Sequence, residues 1–273
     1  MAALNPLVST GWLEGLLHDE SLRIADCRWS LTDPARGREE YLSAHIPTAR
    51  YFSLDDDLAA ATGPGRHPLP RATTFAQEMG HVGIGDEHTV VAYDDRGGAY
   101  AARLWWMLRS LGHNNVHVLD GGWTAWVNEP RSTTTEIPTW QASSLNVAPE
   151  WTGIVDREQV ASGGDGLLLL DARAPERYRG EEEPIDPIAG HIPGAFNIPF
   201  EGNLRESGHF LPVEELEERF AVADSNLAIV SYCGSGVTSC HNVLALEVIG
   251  QSGTLLYPGS WSDWCEAGGE VAT

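Results

Sequence analysis

The sequence lacks several features that would place it in common classes of protein. No apolar run approaches the roughly 20 residues that are needed to cross a bilayer. The amino terminus, Met-Ala-Ala-Leu-Asn-Pro, has no basic segment followed by an apolar stretch and so does not predict a secretory leader. We therefore expect a cytoplasmic protein that does not act in a membrane.

Cysteine is scarce and widely spaced. The four cysteines are Cys27, Cys233, Cys240 and Cys265. Their spacing fits neither a disulfide framework nor a zinc site of paired Cys-x-x-Cys ligands. The sequence also contains no GxxxxGKS/T phosphate-binding loop and no GxGxxG dinucleotide fingerprint. We expect reduced thiols, no metal and no cofactor.

Basic residues are few, with 17 Lys and Arg against 39 Asp and Glu, and the formal net charge is −22. This balance opposes non-specific attraction to nucleic acid or to an anionic membrane, so neither is expected as a partner. The excess of carboxylates is typical of a well-hydrated, soluble surface. A small anionic substrate would need a basic residue near its site to reverse the local field.

An internal repeat organises the chain of 273 residues. Four short segments of the first half recur in the same order in the second: Ile24–Arg28 with Leu169–Arg173, Ala44–Pro47 with Gly190–Pro193, Val90–Tyr93 with Ile229–Tyr232, and Asp120–Trp123 with Pro258–Trp261. Each half alternates short apolar strands with helical stretches. This pattern predicts an α/β fold with two tandem domains, each a mostly parallel sheet flanked by helices.

The boundary between the domains is expected in a segment rich in Pro, Ser and Thr. Residues 128–150 contain Pro130, Pro138 and Pro149 and carry no sustained periodicity. The sequence thus predicts a first domain over 1–127, a linker over 128–150 and a second domain over 151–273.

One cysteine lies in a loop with the character of a nucleophile site. Residues 227–232 form an apolar run, and apolar residues recur at helical spacing from Val237 until Gly250. Cys233 is therefore expected at a strand-to-helix turn, where backbone N–H groups favour a thiolate and lower its pKa. Gly234 and Gly236 let the backbone fold around the sulfur with its amides pointing inward.

This loop resembles the active loop of the rhodanese superfamily. The six residues from Cys233 to Thr238 match the form found in 3-mercaptopyruvate sulfurtransferases, and both halves carry a His-Ile-Pro turn. The resemblance implies two rhodanese-like domains with the reactive cysteine only in the second. It also implies sulfur transfer, in which the cysteine takes a sulfur atom from a donor, becomes a persulfide and passes the sulfur to an acceptor.

The resemblance implies partners for the cysteine. In these sulfurtransferases the serine of the loop, here Ser235, works with a histidine and an aspartate of the first domain. The matching stretch of this chain, residues 51–70, maps them to His67 and Asp55. Asp56 and Asp57 are alternatives for the aspartate. Such a group can move a proton as the carbon of mercaptopyruvate leaves as an enolate.

A substrate-binding arginine is implied at Arg177. Its guanidinium can bind a carboxylate or a sulfonate in a bidentate manner, although an ion pair with the acidic run at 181–183 is the rival interpretation. The backbone of the loop completes the predicted donor site through Gly234, Gly236, Val237 and Thr238. Mercaptopyruvate-specific relatives usually carry a second arginine a few residues after the first, and residues 181–186 offer none.

The sequence is compatible with several functions. The leading hypothesis is a sulfurtransferase that moves sulfur from 3-mercaptopyruvate to cyanide, a thiol or a thioredoxin-like protein. Thiosulfate:cyanide sulfur transfer is the alternative, since the missing second arginine argues against mercaptopyruvate while the neutral loop residues argue for it. A phosphatase or a non-catalytic sulfur-binding module is more remote. No Arg or Lys lies between Cys233 and Gly250 to stabilise a transferring phosphoryl group.

Other candidate residues are interpreted as structural. His45 and His191 each begin one of the two His-Ile-Pro turns. Because one of these turns lies in the half without a nucleophile, both histidines are expected to stabilise their turns. The counterpart of Cys233 in the first half is Asp94, which cannot form a persulfide. Cys240 is expected two turns down the helix that follows Cys233, facing the core.

Overall fold

The computed structural model describes residues 5–163, 166–223 and 226–273. Residues 1–4, on which the expectation of no secretory leader partly depends, lie outside the described residues. The chain forms two compact units. The first unit comprises Met1–Ala60, Pro70–Thr152 and Arg205–Phe210, and the second comprises Ala61–Leu69, Gly153–Leu204 and Leu211–Thr273. The predicted linker residues belong to the first unit, and the predicted domain boundaries stay a prediction.

The first unit is built on a five-stranded parallel sheet of order β1-β5-β4-β2-β3. Its strands are β1 (Leu7–Val8), β2 (Leu22–Asp26), β3 (Ala49–Tyr51), β4 (Thr89–Tyr93) and β5 (Val116–Leu119). Its helices are α1 (Thr10–Gly15), α2 (Arg36–Ser43), α3 (Ala72–Val82), α4 (Ala101–Ser110) and α5 (Gly122–Asn128). The central strand β4 is apolar and buried over residues 90–93 because a parallel sheet is covered on both faces.

The second unit repeats this plan with a four-stranded parallel sheet of order β7-β6-β8-β9. Its strands are β6 (Leu167–Asp171), β7 (Phe196–Asn197), β8 (Ala228–Tyr232) and β9 (Leu255–Leu256). Its helices are α6 (Arg157–Ser162), α7 (Pro175–Tyr178), α8 (Val213–Arg219), α9 (Ser239–Val248) and α10 (Ser260–Glu266), with 3-10 turns at Phe200–Asn203 and Ala221–Ala223. The predicted α/β fold with a mostly parallel sheet in each half is confirmed.

The repeat extends to buried polar groups. In the first unit the Arg28 guanidinium binds the Asp26 carboxylate at 2.6 Å, and in the second unit Arg173 binds Asp171 at the same distance. These arginines also lie over tryptophan rings, Trp123 and Trp261 respectively. The aspartates are the last residues of β2 and β6, which are inner strands of their sheets. The Asp-x-Arg element of the sequence repeat therefore forms a buried ion pair in each unit.

None of the helices that the structure describes has the length and apolarity needed to span a bilayer. The segment after α5 packs on the first unit through backbone hydrogen bonds, including Ser143 N–H to the Gly80 carbonyl at 2.9 Å. The Trp151 indole N–H donates to the Pro70 carbonyl at 2.7 Å, and its ring lies against Phe75.

Candidate active site

Cys233 follows the last residue of β8, the strand that pairs with both β6 and β9. Residues 233–238 form a loop that leads into α9 at Ser239. The start of α10 holds this loop, because the N–H of Trp261 donates to the Cys233 carbonyl at 3.0 Å and the N–H of Ser262 donates to the Gly234 carbonyl at 2.9 Å. The thiol is 2% exposed. The sulfur thus lies at the carboxyl end of an inner strand, on a backbone that the start of α10 holds in place.

The pKa of the Cys233 thiol is lowered, although burial by itself would raise it. Hydrogen bonds from the hydroxyls of Thr238 and Ser239, and from the backbone N–H groups of Ser235 and Ser239, stabilise the thiolate and outweigh the burial. Ser239 Oγ is buried and has no other hydrogen-bond partner by distance and angle among the described residues, and it acts on the thiol through its effect on the Cys233 pKa. Ser239 was not predicted from the sequence, although its place at the helix start is where such a donor is expected.

Glycine stands at positions 234 and 236 of the loop for two different structural reasons. Gly236 has a φ of +77°, and a Cβ there would lie 2.3 Å from the carbonyl oxygen of Pro258. Only glycine fits both the left-handed backbone and this close approach. Gly234 has an ordinary φ, but a Cβ there would lie 2.8 Å from Nη2 of Arg66. Glycine at 234 therefore keeps space beside the nucleophile for a guanidinium.

The side chains of Ser235 and His67 are in contact. Ser235 Oγ and His67 Nδ1 are 2.8 Å apart, and both side chains are buried. The segment that carries His67 belongs to the second unit and is anchored there, since the N–H of Arg66 donates to Ser262 Oγ at 3.1 Å. A serine hydroxyl in this contact can pass a proton to or from the imidazole.

The predicted aspartate lies in the first unit. The carboxylate of Asp55 accepts a hydrogen bond from the Trp29 indole N–H at 2.8 Å. Asp57 accepts the N–H of Ser53 at 2.7 Å, and burial raises its pKa above the ordinary value. The pairing of His67 with Asp55, Asp56 or Asp57 stays a prediction.

Arg177, the predicted donor anchor, binds two carboxylates of its own domain. Its Nε and Nη2 atoms donate to Glu183 at 3.1 and 2.6 Å, and Nη2 also lies 3.1 Å from Asp186. The ion pair with the acidic run, the rival interpretation of Arg177, is thus present at Glu183. The Nη1 atom of Arg177 faces the loop, 3.5 Å from the place of a Cβ on Gly234.

Sequence reasoning missed a second guanidinium at this loop. Arg66 forms an ion pair with Asp186 through Nη1, while its Nη2 faces Gly234. Burial raises the pKa of Asp186 above its ordinary value, and Arg66 and Arg177 oppose that effect. A second guanidinium, which residues 181–186 do not supply, therefore lies beside the loop on the segment that carries His67. Its place next to His67 in a loop rich in Gly and Pro was the available signal.

The corresponding loop of the first unit surrounds the side chain of an aspartate. Asp94 follows β4 as Cys233 follows β8, and its carboxylate accepts four backbone N–H groups. Oδ1 accepts those of Arg96 and Gly98 at 2.8 and 2.9 Å, and Oδ2 accepts those of Tyr100 and Ala101 at 2.7 and 2.8 Å. This loop architecture is therefore a binding site for negative charge.

The remaining candidates have structural contacts. The rings of His45 and His191 stack on Tyr41 and Tyr178, and their Nδ1 atoms lie 2.6 and 2.7 Å from the carbonyl oxygens of the same tyrosines. Cys240 is fully buried, as expected, but it lies in the first turn of α9 rather than two turns down. The helix begins later than the periodicity indicated because residues 233–238 wrap around the sulfur.

The arrangement supports a defined chemistry. A buried thiolate stabilised by hydroxyls and amides can act as a nucleophile. The same hydroxyls and amides can then stabilise a sulfur anion that forms on the cysteine after the attack. The Ser235–His67 pair can move a proton beside it, and the guanidinium groups can bind an anionic donor.

Comparison with known proteins identifies relatives of the whole chain. The rhodanese-like domain family matches residues 9–129 and again residues 157–267. A probable 3-mercaptopyruvate sulfurtransferase of Pseudomonas aeruginosa is 42% identical over 267 residues, which cover 94% of both chains. A putative thiosulfate sulfurtransferase of Mycobacterium tuberculosis is 39% identical, with 94% of this chain and 93% of that protein covered.

Solved structures show the same likeness. The 3-mercaptopyruvate sulfurtransferase from Leishmania major matches with a TM-score of 0.86 and 29% identity, over 96% of this chain and 74% of that one. SseA from Escherichia coli, described as a 3-mercaptopyruvate sulfotransferase, matches with a TM-score of 0.84 and 31% identity, over 95% of this chain and 100% of that one.

Proposed function

Because the chain belongs to the rhodanese family of sulfurtransferases, we propose that it moves sulfur from 3-mercaptopyruvate to a thiol or cyanide through a persulfide on Cys233. The observation that carries this proposal is the buried thiol with a lowered pKa, surrounded by hydrogen-bond donors. The Ser235–His67 contact supports mercaptopyruvate as donor, because that donor loses a carbon that must gain a proton.

In the first step the Cys233 thiolate attacks the donor sulfur. A sulfur–sulfur bond forms while the carbon–sulfur bond breaks, and the electron pair goes to the carbon beside the carbonyl as an enolate. The thiol proton of the donor leaves the sulfur, and a proton reaches the carbon through Ser235 and His67 to give pyruvate. The amides and hydroxyls that stabilise the thiolate then stabilise the persulfide anion.

In the second step an acceptor thiolate attacks the outer sulfur and leaves with it as a persulfide, which restores the Cys233 thiolate. Cyanide takes the same sulfur to give thiocyanate. No external oxidant or reductant is needed. We propose a small thiol or a thioredoxin-like protein as the acceptor. We also propose a cytoplasmic location, supported by four cysteines of which none forms a disulfide bond.

Thiosulfate is the second candidate donor, favoured by the relative from Mycobacterium tuberculosis that carries that name. Its sulfur–sulfur bond breaks to release sulfite, so no carbon has to be protonated. The two donors therefore make different demands on Ser235 and His67, and a single variant can separate them.

The test measures turnover with each donor and the mass of the protein after donor treatment. Wild type should gain the mass of one sulfur atom at Cys233, and Cys233→Ser should gain none and show no turnover. Ser235→Ala should lower kcat/KM for mercaptopyruvate by about 100-fold, the usual size of a proton-transfer effect, and change the thiosulfate reaction only a few-fold. Full turnover by Cys233→Ser would contradict the mechanism, and equal losses with both donors would contradict the role of Ser235.

A further inference from the structure

Arg66 lies next to the nucleophile loop, and its contacts differ from those of Arg177. Its Nη2 atom is 2.8 Å from the place where a Cβ on Gly234 would be, whereas the nearest atom of Arg177 is 3.5 Å away. Gly234 adjoins Cys233 in the chain. Arg66 is therefore the guanidinium with the nearer approach to this point of the loop.

The two guanidinium groups also differ in which edge is occupied. The Nε and Nη2 atoms of Arg177 form one edge, and both donate to the carboxylate of Glu183. Arg66 instead uses Nη1 for Asp186. Its Nε is buried and has no hydrogen-bond partner among the residues that the structure describes. The Nε and Nη2 edge of Arg66 therefore carries an orphaned donor and has the geometry that two oxygens of a carboxylate fit.

The charges around this edge nearly cancel. Asp186 and Glu183 have side chains that are 4% exposed, and they bind the two arginines. Two buried carboxylates thus offset two guanidinium groups, so an incoming anion gains hydrogen bonds without meeting a net positive pair. A singly charged donor suits such a site better than a doubly charged one, because the cost of bringing an uncompensated charge into a buried site grows with that charge.

We infer that Arg66 binds the carboxylate of the sulfur donor through its Nε and Nη2 edge, and that Asp186 positions Arg66 and sets the preference for a singly charged donor. The inference deepens the proposed function and rests on it. Arg66 acts directly on the donor, whereas Asp186 acts through Arg66. The chain contains no lysine, so every side-chain cation other than histidine is a guanidinium.

The test compares kcat and KM for mercaptopyruvate and for thiosulfate at pH 8. Arg66→Ala should raise the KM for mercaptopyruvate by about 10- to 100-fold, the effect of losing charged hydrogen bonds, with a smaller change in kcat. Arg66→Lys keeps the positive charge beside Asp186 but loses the two-atom edge, so it should also raise KM. Asp186→Asn adds one net positive charge and should raise the ratio of kcat/KM for thiosulfate to that for mercaptopyruvate by about 10-fold.

Controls separate binding from loss of structure. Arg179→Ala removes a positive charge from the same domain at an exposed ion pair and should leave both KM values unchanged. Alkylation of Cys233 by iodoacetamide, a neutral reagent, should proceed at the wild-type rate in Arg66→Lys, which reports an intact loop. If Arg66→Ala does not fold, Arg66→Lys alone decides the role of Arg66.

Three results are decisive. A mercaptopyruvate KM within twofold of wild type in the folded Arg66 variants would overturn the binding role. An unchanged donor ratio in Asp186→Asn would overturn the charge argument. If wild type turns over neither donor, the proposed function fails. If wild type is active but the variants behave like it, only the inference about Arg66 and Asp186 fails.

Discussion

The backbone N–H of Cys233 donates a hydrogen bond to the hydroxyl of Ser260 at 3.1 Å. Ser260 is the first residue of α10, and its own hydroxyl donates to the carbonyl of Tyr257 at 2.8 Å. Its φ of +54° lies in the left-handed region, which crowds the Cβ of every residue except glycine. The fold therefore keeps a strained residue at the point where it fixes the backbone of the nucleophile.

Replacement of Ser260 separates this hydrogen bond from the strain. Ser260→Ala and Ser260→Gly both remove the acceptor for the Cys233 N–H, so each should lower kcat/KM by about 10-fold. Ser260→Gly also relieves the strain, and it should be more stable than Ser260→Ala by about 1 kcal/mol. Steady-state kinetics and urea unfolding check the two effects. An alanine variant more stable than the glycine variant would contradict the strain argument.

The pH dependence of Cys233 reactivity should change in Thr238→Val. The Thr238 hydroxyl helps to lower the pKa of the thiol, so wild type ionises at a lower pH than an ordinary cysteine. Loss of this bond raises the pKa, moves the alkylation profile to higher pH and should slow alkylation at pH 7 by about 10-fold. The measurement follows iodoacetamide labelling of the Cys233 peptide by mass spectrometry.

This labelling experiment is selective against Cys265 and has a matched control variant. Burial raises the pKa of the Cys265 thiol to about 11, so that thiol stays protonated between pH 6 and 9. Thr254→Val is a matched control, because the buried Thr254 hydroxyl has no partner among the described residues. Its profile should coincide with that of wild type. A Thr238→Val profile that also coincides with wild type would contradict the prediction.

Asp94 should be more important for stability than its neighbour Asp95. Asp94→Asn places an amide NH2 against backbone N–H groups that now donate to a carboxylate oxygen, and it should destabilise the first unit by about 3 kcal/mol. Asp95→Asn is the matched control. Asp95 pairs with Arg36, whose side chain is partly exposed, so its loss should be about 1 kcal/mol or less. Urea unfolding measures both, and equal losses would contradict the prediction.

The paired buried arginines should each be essential for stability. Arg173→Met leaves the Asp171 carboxylate uncompensated in the core, and Arg28→Met does the same to Asp26. Each variant should lose about 3 to 5 kcal/mol of unfolding free energy. Arg179→Met, at an exposed ion pair, should leave the unfolding midpoint unchanged. Losses below about 1 kcal/mol in both buried variants would show that the pairs are not structural determinants.

Much of the fold could be predicted because its signals are local. Short apolar strands, helical periodicity and the repeated Asp-x-Arg and His-Ile-Pro segments are each read within a few residues. They recur in two parallel sheets whose four corresponding strands have the same order. The first residue of α9 was harder to predict from the sequence. Apolar periodicity continues through Val237, but the backbone of residues 233–238 turns around the sulfur instead of forming helix.

The cluster around the donor site could not be predicted from spacing. Arg66 and Asp186 are far apart in the sequence, and neither belongs to a periodic pattern. The acidic run at 181–183 indicated a partner for Arg177 but not which carboxylate, and the structure assigns Glu183. Mercaptopyruvate-specific relatives usually carry a second arginine shortly after the one that matches Arg177, and residues 181–186 of this chain lack it. The structure instead has a second arginine, Arg66, beside the loop. It comes from an earlier segment of the chain and adjoins His67.

The carboxylate of Asp94 has a consequence for experiments on the second unit. The amides that it accepts from residues 96 and 100 correspond, in the sequence repeat, to those of residues 235 and 239, which act on the Cys233 sulfur. The Asp94 carboxylate is part of the chain and stays in its loop, so the protein contains an internal reference for a short-lived intermediate. The two oxygens of that carboxylate give coordinates against which a trapped adduct on Cys233 can be compared by superposing one half of the chain on the other.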